Sequence, residues 1–214
     1  TGFGSEHAAA AGVLYLIAHS MFKGALFMLA GNIDHEAGTR DITKLGGLRK
    51  LMPISFLAAM AAAFSMGGLP PFFGFLSKEE IYYGLWHADP WSIFMTVVAI
   101  IGNGLMFVAG FAIAIKPFLG KEVETPKHAH EAPLLMWIGP ATLATAGLLA
   151  AVFSPVFHRY VSSPMVSAGA GEPEEITISL IPHIGMPLLL SLITIVFAVL
   201  VYLKVDAARS AIAS

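Results

Sequence analysis

Residues 67–80 read GGLPPFFGFLSKEE, and this stretch decides how the chain is built. It lies inside an apolar segment running from Pro53 to about Leu85. Two adjacent prolines, Pro70 and Pro71, and three glycines, Gly67, Gly68 and Gly74, cannot continue a regular helix. The segment is also too long for one straight crossing of a hydrocarbon core, which takes about 20 residues. It reads as two half-helices around a break at Pro70–Pro71. Carbonyls freed at membrane depth must find protein or water as partners. Broken helices of this kind present helix ends and carbonyls to ions in transporters. The competing reading is a kink that serves packing alone.

Lys78 follows the break and is itself followed by Glu79 and Glu80. Two readings are open. If the second half-helix stays in the membrane, Lys78 is a buried amine beside a water pocket. A carboxylate that approaches and withdraws from such an amine loads and unloads a proton, and Glu79 is the candidate partner. If the half-helix reaches the surface, Lys78, Glu79 and Glu80 form a charged cap. Depth decides between them.

The rest of the chain has the composition of a membrane protein. It is 57% hydrophobic and 12% charged, where a soluble domain carries about 25% charged residues. Mean hydropathy is +0.76. The missing charge leaves too little polar surface for a water-facing fold. Transmembrane barrels alternate apolar and polar positions, and these stretches are apolar on both alternations. The expected fold class is therefore an all-α integral membrane protein. The net charge of −2 says nothing about partners, and no basic tract points to nucleic acid. With no cysteine, disulfides and thiolate chemistry are excluded. The chain opens at Thr1, and a Gly-rich Thr1–Glu6 runs straight into a span. That pattern is expected of an internal fragment of a longer polypeptide.

Five spans are expected: about Ala8 to Ile33, Pro53 to Leu85 with its break, Trp91 to Ile115, Pro133 to Phe157, and Pro182 to Leu203. Prolines stand at or beside the starts of the last four, where a missing N–H costs nothing. If all five cross, nine basic residues fall on one side: Arg40, Lys44, Arg49, Lys50, Lys116, Lys121, Lys127, Lys204 and Arg209. Arg159 alone falls on the other. The positive-inside rule places the nine in the cytoplasm and the first residue outside. The stretch SSPMVSAGAGEPEE, Ser162 to Glu175, reads as a flexible outer loop. KEVETPKHAHEAP, Lys121 to Pro133, reads as a polar inner loop.

His19 and Lys23 are spaced i, i+4 in the first span and so share one helix face. Charged groups at depth are rare and tend to face a water-filled cavity or a partner. Both can meet one internal water chain, which makes them relay candidates. The alternative is that Lys23 snorkels to the interface and His19 packs against a neighbouring helix. Lys23 lies about ten residues before the polar loop, or ~15 Å along a helix, which is long for a snorkel. Other sites are weaker. His35 to Asp41, HEAGTRD, reads as a solvated loop without metal-ligand spacing. His128 and His130 lie in a polar loop with no third ligand in view, so no metal site is expected. His183 reads as interfacial. No phosphate loop, catalytic triad or cofactor motif is visible.

The run YLIAHSMFKGALFMLAGNIDHEAGTRDITKLGGLRKLMP, followed by FSMGGLPPFFGFLSKEEI, resembles the antiporter-like membrane proteins. These include the large membrane subunits of respiratory complex I and the large A-type subunit of the Mrp-type multisubunit cation/proton antiporters. The DHEAGTRD loop and PHIGMPLLLSLITIVF look more like the Mrp A-type subunit. The resemblance implies that the first two spans are the eleventh and twelfth helices of a fourteen-helix core. Residues 1–157 would be the C-terminal part of that core, and 158–214 an outer loop plus an additional helix. It further implies a proton path through His19, Lys23 and Lys78, with the break at Gly67, Gly68, Pro70 and Pro71 beside it. Tyr15 stands where some relatives carry a further His. The implied function is Na+/H+ antiport in a bacterial inner membrane, with other Mrp subunits as partners, no cofactor, and a transporter rather than an enzyme. The alternative is a proton-pumping subunit of a complex I-like NADH:quinone oxidoreductase.

Overall fold

The computed structural model describes residues 6–86, 91–170, 173, 175, 176, 178, 180 and 185–213. Among the described residues the chain is helical, without strands. Helix α1 is Glu6–Ala37. Two short 3-10 turns, Ile42–Lys44 and Leu48–Lys50, lead into α2, Pro53–Gly67. Then come α3, Phe73–Trp86, α4, Ser92–Leu119, and α5, Leu134–Val152. A short α6, Ser154–Phe157, a π turn, His158–Ser162, and α7, Ser163–Ala170, follow in direct succession. The last helix is α8, Met186–Ala213.

Four segments are long and apolar enough to cross a membrane: Ala8–Ala37, Ser92–Leu119, Leu134–Val152 and Met186–Lys204. α2 is apolar but shorter, and α3 continues it beyond the break. The all-α membrane architecture with a second span interrupted at Pro70–Pro71 is therefore what the chain adopts. That peptide bond is cis.

α1 packs on α2, α3 and α5, α4 packs on α2 and α8, and α3 also meets α4 and α8. Small residues set these approaches, since lipid offers no hydrophobic drive between helices. Ala58, Ala59, Ala62 and Ala63 of α2 are buried. At Gly74 of α3 a Cβ would lie 1.8 Å from the Ser65 carbonyl oxygen, so only glycine fits there. Leu29, Ile33, Met52 and Phe118 build one cluster, and Leu14, Phe22, Phe73, Leu76 and Val166 a second.

The two loops rich in lysine and arginine lie together on one side. A Cβ on Gly46 would sit 1.9 Å from the Lys121 carbonyl oxygen. Lys127 donates its backbone N–H to the Ala37 carbonyl at 3.2 Å. Glu131 accepts from the Ile54 N–H at 2.7 Å and from the Ser55 hydroxyl at 2.6 Å. A carboxylate from a distant loop thereby caps α2, where unpaired N–H groups and the helix dipole favour negative charge.

Three expectations need correction. α1 continues to Ala37, so His35, Glu36 and Ala37 are helical rather than part of a solvated loop. The cause is a tertiary contact: buried Glu36 meets His35 Nδ1 at 2.9 Å and His130 Nδ1 at 3.2 Å. The fourth span ends at Val152, because Phe153 leaves helical geometry before the Ser154–Pro155 restart. Ser163–Ala170, expected as flexible loop, is α7. Pro164 falls in its first turn, where proline is tolerated, and Val166 is buried in the second cluster. His183 lies outside the described residues.

Candidate functional site

The end of α2 explains the conformation of the whole break. A helix leaves its last carbonyls without intrahelical donors. Gly68 adopts φ +67°, its N–H reaching the Ser65 carbonyl at 3.0 Å, and the Leu69 N–H reaches the Phe64 carbonyl at 3.0 Å. Glycine is the residue suited to this left-handed turn. The Gly67 carbonyl is taken by the Lys78 ammonium, with Nζ at 2.7 Å. The lysine side chain folds back from α3 across the break and lies over Gly68. A Cβ there would be 2.6 Å from Lys78 Cδ. Gly68 is thus required twice, by its φ and by the amine that covers it.

Lys78 is 4% exposed, so its amine is enclosed by protein rather than spread on an open surface. Two influences act on the amine in opposition. Desolvation works against a charge, and the carbonyl end of α2 works for it.

Glu79, next in the chain, is half-buried and turned toward α8, where its carboxylate accepts a hydrogen bond from Ser191. One turn on, Tyr82 and Thr194 share a hydrogen bond between their hydroxyls, and Asn103 of α4 donates to Tyr82 Oη at 3.3 Å. A polar seam therefore joins α3 to α8 just beyond Lys78. Sequence reasoning missed the α8 members of this seam. The visible signal was Ser191 and Thr194, spaced i, i+3 in an otherwise apolar run.

His19 and Lys23 lie on α1, the helix packed against α3. His19 is half-buried, with the Tyr15 ring at 5.6 Å and the Phe22 ring at 5.4 Å. It lines a cavity of ≈ 470 Å³ between α1 and α3, together with Tyr15, Ile81, Gly84 and Leu85. Tyr15 donates its hydroxyl to Met106 Sδ at 3.2 Å. Lys23 is half-buried one turn further along. His19 alone of these three borders the α1–α3 cavity, Lys78 lies against the end of α2, and no direct hydrogen bond links His19 to Lys78 among the described residues.

A helical bundle with several membrane-length apolar helices, one broken span and an amine buried on the break defines a polytopic membrane protein. Residues 2–102 match the family described as NADH:quinone oxidoreductase/Mrp antiporter, transmembrane region. Over 168 residues it is 41% identical to the Na(+)/H(+) antiporter A1 subunit of Staphylococcus saprophyticus, covering 74% of this chain and 21% of the relative. The corresponding protein of Staphylococcus aureus strain JH9 is 39% identical over the same shares. The solved Mrp complex from Dietzia sp. DQ12-45-1b superimposes with a TM-score of 0.81 at 25% identity. That match covers 96% of this chain and 23% of the structure's chain. The chain thus spans about a fifth of the length of these relatives.

Proposed function

We propose that this chain is part of the large membrane subunit of a multisubunit monovalent cation/proton antiporter in a bacterial plasma membrane. It supplies part of the proton route, and Na+ leaves the cell as protons enter. Residues 1–157 are the C-terminal part of the proton-translocating core, and 158–214 add the outer segment and a further membrane helix. The observation that carries this reading is Lys78, buried on the open carbonyl end of α2.

Lys78 accepts a proton as the neutral amine and holds it as an ammonium against the Gly67 carbonyl. His19, which lines the α1–α3 cavity, and Lys23, one turn further along α1, pass protons to it through water. Glu79, held by Ser191, tunes the field at the amine from the next position. Other subunits complete the cation path. The names of the relatives favour antiport over electron-driven pumping by a complex I-like enzyme.

The experiment uses inverted vesicles carrying the complete native complex, with a proton gradient set by ATP hydrolysis and no respiratory substrate. Added sodium collapses the gradient in wild type and not in Lys78→Ala. Absence of collapse, together with proton pumping on NADH, moves the assignment to the respiratory class.

A further inference from the structure

Two buried polar atoms beside α3 have no part in the route so far. His158 opens the π turn that follows α6 and is 1% exposed. Its Nδ1 lies 3.2 Å from Ser162 Oγ. Its Nε2 is buried and makes no hydrogen bond, while the Ile178 backbone near the ring favours its charged form. Ser77 precedes Lys78 on α3 and is fully buried, and its Oγ has no partner either.

Both atoms belong to one corner of the molecule. The Phe73 ring packs against the His158 ring at 6.0 Å and against Phe157 at 5.1 Å. Phe73 stands four residues before Ser77, so the two share a face of α3. Native proteins rarely leave such atoms unsatisfied, and each case calls for a specific reason. π turns recur at functional sites, and histidine is the side chain that exchanges protons near neutrality.

We propose that Ser77 and His158 continue the proton route from Lys78 toward the outer surface. The inference rests on the proposed proton route through Lys78. The Lys78 N–H bond breaks, water held at Ser77 Oγ relays the proton, and a new N–H bond forms at His158 Nε2. Lys78 is left neutral and the imidazole carries the positive charge, until it gives the proton to outer water. The tautomer with Nδ1–H toward Ser162 Oγ, one of the two that the 3.2 Å contact permits, leaves the Nε2 lone pair open. Burial holds the His158 imidazole below the ordinary histidine range, with the Ile178 backbone opposing. It is therefore neutral and ready to accept at neutral pH. The described titratable groups on the elements around it include Tyr15, His19 and Lys23 of α1 and Lys78, Glu79, Glu80, Tyr82 and Tyr83 of α3, with Arg159, Tyr160 and Glu175 exposed.

The test follows sodium/proton exchange by the complete complex between about pH 5 and 8. His158→Gln keeps a polar group for Ser162 and removes the titration. Exchange then falls at least about tenfold in an assembled complex, and the acid limb of the wild-type profile disappears. His158→Phe, an aromatic ring among Phe73 and Phe157, gives the same loss. Unaltered rate and profile in His158→Gln overturn the proposal. If neither His158 variant assembles, Ser77→Ala decides: exchange slowed several-fold supports the route, and unchanged exchange overturns it. Lys78→Ala is run beside them. Exchange retained there overturns the underlying reading, whereas exchange lost there but intact in His158→Gln overturns only the extension.

Discussion

Lys23 and Lys78 are both lysines inside apolar helices, yet the protein treats them differently. Lys23 sits within α1, a continuous helix of 32 residues. Mid-helix carbonyls there already accept the N–H four residues on, so no carbonyl is left without a donor for an ammonium to take over. Lys23 is half-buried and makes no hydrogen bond or ion pair among the described residues. Lys78 follows a break, is 4% exposed, and holds the Gly67 carbonyl at 2.7 Å. The comparison teaches that the break is what makes a deeply buried lysine tenable. Interrupting the helix creates both the acceptor and the favourable end of a dipole.

The sharpest test of that contrast is substitution of each lysine in turn. Lys78→Ala is expected to lower exchange by about 100-fold or more, and Lys23→Ala by about tenfold, as proton-transfer groups of unequal importance. Equal losses in the vesicle assay remove the distinction. Replacing Pro70 and Pro71 with Ala together attacks the break itself. Straightening of the segment withdraws the Gly67 carbonyl, and exchange drops about tenfold or more. Full activity in that double variant makes the break a packing feature. Gly68→Ala puts a methyl against Lys78 at a positive φ. It is expected to cost about 1 kcal/mol or more, read as a lower Tm of the purified complex. An unchanged Tm shows that the lysine steps aside freely.

Smaller effects are expected further from the break. His19→Ala opens space beside the ≈ 470 Å³ cavity, where water can bridge the missing relay member. Exchange is expected to fall only a few-fold, toward the low end of what a positioned proton-transfer group contributes. Complete loss places His19 on a par with Lys78. Glu131→Gln weakens the cap on α2 by about 1 kcal/mol. The thermal melt of the complex shifts while exchange is nearly unchanged. A large loss of exchange instead ties the inner loop to proton entry.

Legibility varies along the chain for physical reasons. Proline and glycine act on the backbone locally, so the interruption at Gly67–Pro71 is readable from residues alone. Runs of apolar residues announce the long helices in the same way. Glu36 misleads because its burial depends on His130, which comes from the loop before α5. α7 misleads because Ser, Gly and Pro composition signals a loop, whereas the buried contact of Val166 decides the outcome. The Ser191–Glu79 bond joins residues 112 positions apart, and nothing in either neighbourhood names the other.

Residue order alone dictates a helical membrane protein, the place where its second span breaks, and which apolar segments carry basic residues. These follow from hydropathy and backbone chemistry, which act over a few residues at a time. The burial of Lys78, the closure of the α2 end by its ammonium and the turn of Glu79 toward α8 come from the folded arrangement. They depend on which helices meet and at what depth, and packing between distant segments sets both.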